Sequence, residues 1–178
     1  EPTPVIANRI AHCVSQAAAT PEPWPELLQT VCGAMGGGEA PARTALFVLE
    51  QLPEYSPELM HGNAMNLLPV YTGALAEANH IKVRVSALKA TGALLMALDN
   101  DKERAPFAPL VQPMLAALAA ALSSPQHEGD AQEVLSALCN VAQNAVDFFR
   151  AHLAAVVDAM LTVCGAGEQL EMTTRERA

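Results

Sequence analysis

Residues 64–98 read AMNLLPVYTGALAEANHIKVRVSALKATGALLMAL, and this stretch decides the fold. Leu68, Tyr71 and Leu75 fall at i, i+3 and i+7, one face of a helix over about Ala64 to Ala78. Ile81, Val85, Leu88, Gly92 and Leu95 fall at i, i+4, i+7, i+11 and i+14, which predicts a second helix from Ile81 to Leu98. Only the polar turn Glu77 to His80 separates the two, so the apolar stripes fold against each other as a helical hairpin.

The same unit recurs on either side. Leu27-Leu28, Leu67-Leu68, Leu110-Val111 and Leu153 are 40, 43 and 43 residues apart, and each opens a helix pair. A helical unit of about 40 to 47 residues is the length of a HEAT or armadillo repeat, which buries its apolar face only by stacking on neighbours. The remaining predicted helices cover Val5 to Ala18, Trp24 to Met35, Ala40 to Leu52, Phe107 to Ser123, Ala131 to Phe149 and Leu153 to Cys164, with a last one beginning near Glu168. The first is read as burying Ile6, Ile10, Cys13, Val14 and Ala17 and as ended by the Pro21, Pro23, Pro25 cluster; Pro53 closes the third, and the charged run Asp99 to Arg104 is a solvated loop. The expected architecture is all-α, an α-α superhelix of HEAT/armadillo type, against which a helical bundle is the alternative. Its units are residues 1–20 as a lone second helix, 21–54, 55–100 and 101–150 as three repeats, and 151–178 as a truncated one. Residue 1 is Glu and Thr173 to Ala178 read as the opening of a helix, so a segment of a longer protein is expected.

Composition agrees with helices. The chain has 178 residues, 34 of them Ala, with 51% hydrophobic but only 4% aromatic side chains, where strands would want more β-branched and aromatic residues. A net charge of −9 lacks the basic face that a phosphate backbone requires, so no nucleic acid is expected and basic partners fit better. Ala105 to His127 carries no formal charge but is broken by Pro106, Pro109 and Pro113, which reads as a buried helix without membrane insertion. Cys13, Cys32, Cys139 and Cys164 are far apart inside apolar stretches and are read as reduced core thiols of a cytosolic or nuclear protein.

The run Trp24-Pro25-Glu26-Leu27-Leu28, the Ile81 to Leu98 helix, Phe107-Ala108-Pro109-Leu110-Val111, Glu133 to Leu138 through Phe149-Arg150-Ala151-His152-Leu153, and Cys164-Gly165 resemble the amino-terminal third of the importin-β superfamily, closest to its importin-5 branch. The resemblance spans nearly the whole chain and rests on the order and spacing of the series. It implies a HEAT-repeat nuclear transport receptor of cytoplasm and nucleus, whose partners are the GTPase Ran, cargo with basic signals and phenylalanine-glycine nucleoporins. Another kind of HEAT scaffold, a phosphatase regulatory or microtubule-associated array, is the alternative. Many HEAT repeats carry a basic residue early in the second helix; Arg43 and Arg84 fit, but no Lys or Arg occurs between Arg104 and Arg150. A polar ladder between repeats is therefore not expected to continue through the helix at 131–149.

No enzyme, cofactor or metal is expected. His12, His61, His80, His127 and His152 mark helix ends, and none lies four residues from another His or a Cys on one face. Asp99-Asn100-Asp101-Lys102-Glu103 opens like a calcium loop, but Arg104 stands where Gly is needed and Leu110 where Glu is needed. Gly36-Gly37-Gly38 has no following Gly-Lys-Ser or Gly-Lys-Thr and is read as a helix stop, and no Gly-x-Ser-x-Gly elbow occurs. Two polar faces remain as candidate partner-binding surfaces. Opposite the apolar stripe of the 131–149 helix (Leu135, Leu138, Ala142, Val146 and Phe149) stand Glu133, Ser136, Asn140, Gln143, Asn144 and Asp147, whose amides suit a peptide backbone and whose carboxylates suit Lys or Arg. Lys82, Ser86 and Lys89 form a basic stripe on the 81–98 helix that suits an acidic partner. Trp24 is read as a packing anchor.

Overall fold

The computed structural model describes residues 4–18, 24, 26–166 and 170–178. Its helices are α1 (Pro4–Ala18), α2 (Leu27–Gly33), α3 (Glu39–Tyr55), α4 (Pro57–Leu75), α5 (Ile81–Ala97), α6 (Asp101–Arg104), α7 (Val111–Leu122), α8 (Glu128–Asn144), α9 (Leu153–Cys164) and α10 (Met172–Glu176), and no strand occurs among the described residues. Tighter 3-10 turns at Ala34–Gly37, Ala105–Leu110, Pro125–His127 and Val146–His152 join several of them. The helices form two layers. In one, α1 packs on α3, α3 on α5, α5 on α8 and α8 on α10; in the other, α4 touches α7 and α7 touches α9, while α2, α4 and α7 pair with α3, α5 and α8. This is an all-α repeat solenoid, with second helices stacked side by side.

α5 is the centre of it. Val83, Val85, Ala87, Leu88, Ala90, Leu94 and Leu95 are all buried, because α5 is packed against α3, α4, α7 and α8. A helix enclosed by four neighbours carries apolar residues over a wide arc instead of one stripe, leaving Lys82, Ser86, Lys89, Ala93 and Met96 toward the surface. Two buried hydroxyls on the second-helix layer bond to their own turn: Thr91 Oγ1 donates to the Ala87 carbonyl (2.7 Å) and Ser15 Oγ to the Ala11 carbonyl (3.0 Å). The carboxyl end of α5 has no basic residue in its last turn, and its free carbonyls are met from outside. Arg104 Nε donates to Leu95 O (2.9 Å), another guanidinium nitrogen donates to Leu98 O, and His61 Nε2 donates to Ala97 O.

Several expectations are corrected. The Asp99 to Arg104 run contains a capped helical turn: Asn100 Oδ1 accepts from the N–H groups of Lys102 and Glu103, and Glu103 reaches back to the Asp99 N–H (3.2 Å). α3 runs through a buried Pro53 to Tyr55, since only one helical hydrogen bond is lost so near its end. α4 starts at Pro57, seven residues earlier than expected, on the signals Ser56, Pro57 at the first turn and Glu58, and exposed Gly62 does not stop it. α8 ends at Asn144, because Ala145 leaves the helical region (φ −133°, ψ 61°). Consequently Val134, Leu135, Leu138 and Val141 are its buried face, Ala142 is exposed, and Val146 is 74% exposed beyond its end. α1 packs on α3 through Ala11, Val14, Ser15 and Ala18, leaving Val5, Ile6, Ile10 and Cys13 on the outside. Trp24, 42% exposed, is no core anchor. The cysteines are free, but Cys13 and Cys164 are exposed and Cys32 and Cys139 half-buried, so none is a core thiol. The prolines at 21, 23 and 25 and the expected helix start at Glu168 lie outside the described residues.

One helical stretch, Asp101–Leu122, is long and apolar enough to cross a membrane by length and composition. In the fold it is divided by the turn at Ala105–Leu110, and Phe107, Leu110, Val111, Met114 and Leu118 are buried in the core.

Two substitutions test this packing. Arg104→Met keeps the aliphatic stem and removes the caps on α5, so urea unfolding should show a loss of about 1.5–3 kcal/mol, while the exposed Lys102→Met stays within about 0.5 kcal/mol. Equal effects would refute the capping role. The Tyr71 side chain is fully buried, its hydroxyl without a partner among the described residues, and burial pushes its pKa up. Tyr71→Phe should therefore leave stability unchanged or raise it by up to about 1 kcal/mol; a clear loss in the same assay would reveal a partner for that hydroxyl.

Candidate partner-binding groove

Side by side, α5 and α8 approach closely at Gly92, where an added Cβ would lie 3.3 Å from Val141 Cγ2. On the surface of this pair a groove of about 350 Å³ opens, its floor made by Gly92, Ala93, Met96 and Ala137 and its rim by Glu50, Lys89, Glu133, Ser136, Asn140 and Arg177. Lys89 Nζ sits between two carboxylates, 3.6 Å from Glu50 Oε1 on α3 and 3.2 Å from Glu133 Oε2 on α8. Arg177 enters from the other side, NH1 donating to Ser136 Oγ (2.9 Å) and to the Gln132 carbonyl (3.3 Å).

Glu50, Lys89, Glu133 and Arg177 thus stand on neighbouring second helices or just past the last of them, 39, 44 and 44 residues apart and alternating in sign. The polar ladder does continue through α8, contrary to expectation, because the side chain supplied there is acidic. Arg43 and Arg84 are not its members: Arg43 reaches Glu39 (3.5 Å) on its own helix, and Arg84 is buried with Nε and one terminal nitrogen without a partner among the described residues. Burial raises the Lys89 environment's cost for charge, yet the two carboxylates outweigh it and hold the lysine pKa above its ordinary value. At Glu50 the balance is reversed. Burial dominates the attraction of Lys89, and its carboxyl is pushed up.

The structure distributes the seven expected partner-binding residues unevenly. Asn140 is on the groove rim, its side-chain amide exposed and without a hydrogen bond among the described residues; Gln143, one turn on, is exposed too. Asn144 turns back, donating to the Asn140 carbonyl (2.8 Å) with Met96 Sδ at 3.9 Å. Asp147 is not on this face, since it lies beyond the end of α8 and pairs with Arg150 Nε (3.2 Å). On α5, Ser86 Oγ is spent on the Lys82 carbonyl (2.9 Å), Lys89 is in the ladder, and Lys82 is half-buried with no ion pair among the described residues. Lys82, Ser86 and Lys89 therefore do not act as one basic stripe. Sequence reading missed Glu50, Met96 and Arg177; aligning the second helices and comparing charge at one register would have found all but Met96.

Among the described residues no three His, Cys, Asp or Glu side chains are grouped to hold a metal ion. His80 and His127, both at helix starts as expected, meet across repeats edge to face at 6.3 Å.

A family model described as IPO5-like, TPR repeats matches residues 3–159. The chain belongs to this importin-5-like family. Importin-5-like proteins are importin-type transport receptors of the importin-β superfamily, a non-catalytic family that works through protein partners. Neither a curated protein nor a solved structure gave a match. In this importin-5-like chain α3, α5 and α8 begin 42 and 47 residues apart, longer than the 34 residues of a TPR and in the HEAT and armadillo range.

The ladder makes a pH prediction. Because the folded Glu50 carboxyl titrates above its ordinary 4.5, the unfolded chain releases that proton first, and the Glu50 contribution to stability falls as pH rises from about that value. Glu50→Gln should then match the wild type near pH 4 and be the more stable of the two at pH 7. Urea titrations across that range showing the opposite trend would mean that the Lys89 pair outweighs burial.

Proposed function

We propose that this chain is a protein-binding segment of a nuclear transport receptor, taking part in import by binding cargo with basic signals and the GTPase Ran, with phenylalanine-glycine nucleoporins as further partners and the cytoplasm and nucleus as its compartments. Family membership supports the receptor class. The observation that carries the binding role is the α5–α8 groove, where the Asn140 amide, without a hydrogen bond among the described residues, stands beside carboxylates and an apolar floor, with exposed Gln143 one turn on along α8. An extended segment needs partners for its backbone amides and for its side chains at once, and amides spaced along one helix face supply the first. Ser86, Lys89 and Asn144 remain in the proposed surface as neighbours whose bonds would have to be exchanged on binding, Lys82 joins it without an ion pair among the described residues, and Asp147 would reach it from beyond the end of α8.

In the receptor that contains this segment, Asn140→Ala with Gln143→Ala should leave stability within about 0.5 kcal/mol, as exposed positions do, and weaken either cargo or Ran several-fold in a binding titration. Unchanged affinity for both partners would reduce the face to a solvated surface and the segment to a spacer.

A further inference from the structure

We propose that the starts of α3, α5 and α8 form a proton-operated joint between successive repeats, in which His80 exchanges its cap on α5 for a pair with Glu39 when it gains a proton, while His127 holds Asp130 throughout.

The residues lie in line along one edge of the stack. Glu39 opens α3, His80 is the N-cap of α5, His127 precedes α8 and Asp130 sits in the first turn of α8. His80 Nδ1 is 3.6 Å from Glu39 Oε1, the two imidazoles meet edge to face at 6.3 Å, and His127 Nδ1 is 2.8 Å from Asp130 Oδ2. A line of titratable groups thus runs from one repeat through the next into a third.

Their bonds assign the two rings opposite tautomers. The Lys82 N–H donates to His80 Nδ1 (3.3 Å), so in the neutral ring that nitrogen is bare and the hydrogen is on Nε2. A carboxylate has no proton to give, so His127 Nδ1 carries the hydrogen of its bond to Asp130. The next proton therefore acts differently on each. On His127 it enters at Nε2 and leaves the Asp130 bond in place, now charge-assisted. On His80 it enters at Nδ1, where it ends the acceptance from Lys82 and makes that nitrogen a donor facing Glu39. Two neighbouring imidazolium rings also repel. Acidification through the range in which imidazole titrates, about pH 8 to 5, thus draws the start of α5 toward α3 and away from α8. Glu39 and His80 are exposed rim residues of a cavity of about 470 Å³ walled by Cys32, Met35, Val70 and Val83, so the same movement narrows its mouth.

The surrounding charges leave this exchange open. On α3, Arg43 stands 3.5 Å from the same Glu39 oxygen and is the competing partner. Glu77 on the preceding turn is exposed, and neither Lys82 nor buried Arg84 has an ion pair among the described residues. On α8, Glu128 accepts from the Glu171 N–H and the Thr174 hydroxyl. α7 carries no titratable side chain; on α4, Tyr71 is buried, and Glu58 and His61 lie in the first turns, His61 bonding Ala97 O at the far end of α5.

The test is nuclear magnetic resonance of this chain. Long-range nitrogen–proton correlation at about pH 8 should place the hydrogen on Nε2 of His80 and on Nδ1 of His127. Acidification to about pH 5.5 should shift the Lys82 amide in step with the His80 ring, strengthen the Overhauser contact between that ring and the Glu39 side chain, and weaken the contact between the two rings. His80→Asn keeps an accepting cap but takes up no proton, so its Lys82 amide should stay unmoved over the same range. Glu39→Gln should keep the Lys82 response and lose most of the growth in contact with position 39. Like tautomers for the two rings, an equal Lys82 response in His80→Asn, a Glu39→Gln variant that closes as wild type does, or a ring-to-ring contact that strengthens in acid would each overturn the joint.

Discussion

Enclosure of α5 by α3, α4, α7 and α8 is the constraint from which the rest of this chain follows. Each fully buried Leu or Val contributes about 1.5–3 kcal/mol relative to exposure, and α5 carries Val83, Val85, Leu88, Leu94 and Leu95 in that state. No single hairpin can bury all of them. They are covered only when α3 and α8 lie on either side and α4 and α7 lie behind, so the repeats are tied into one cooperative unit through this helix. The same enclosure bears on the end of α5, where Arg104 and His61 cap carbonyls that the helix itself leaves free.

Enclosure also explains which parts of the fold were legible in the sequence. α5 was expected at Ile81 to Leu98 and lies at Ile81–Ala97, since a helix so strongly apolar leaves its register in the pattern. α1 carries a good helical stripe as well, yet α3 takes Ala11 and Ser15 and leaves Ile6 and Ile10 outside. Periodicity reports that a face is apolar; which face a neighbour covers is a tertiary fact. The end of α8 shows the complementary failure. Glu133 to Asp147 is a continuous polar stripe at helical spacing, but the chain turns at Ala145 so that Phe148 and Phe149 can be buried, and Asp147 is carried away from Asn140.

The site was legible in part for a related reason. Asn140 and Gln143 could be found because exposed amides on a helix opposite an apolar face have nowhere else to point. The ladder escaped because a search for a recurring basic residue looks for chemical identity, whereas a pair across an interface needs opposite signs. Glu50, Lys89 and Glu133 satisfy the second condition and fail the first, while Arg177 bonds Ser136 Oγ and the Gln132 carbonyl. In a stack of near-equal helices, alternation of charge at one register is what lets each helix attract the next; identical charges there would repel by a similar amount.

From this follows a link between packing and recognition. Lys89 and Glu133 are drawn together only because α5 and α8 approach closely, and Gly92 against Val141 sets that approach. A larger side chain at position 92 would have to push the two helices apart, stretching the Lys89 to Glu133 contact of 3.2 Å and widening the groove whose floor Gly92 forms. The missing side chain of Gly92 therefore has two effects that cannot be separated by sequence. It costs about 1 kcal/mol of helix propensity relative to Ala, and it brings a carboxylate, a lysine and an unpartnered amide within one small cavity. A groove built this way depends on the spacing between repeats, so any change in the curvature of the stack alters its width without touching a groove residue.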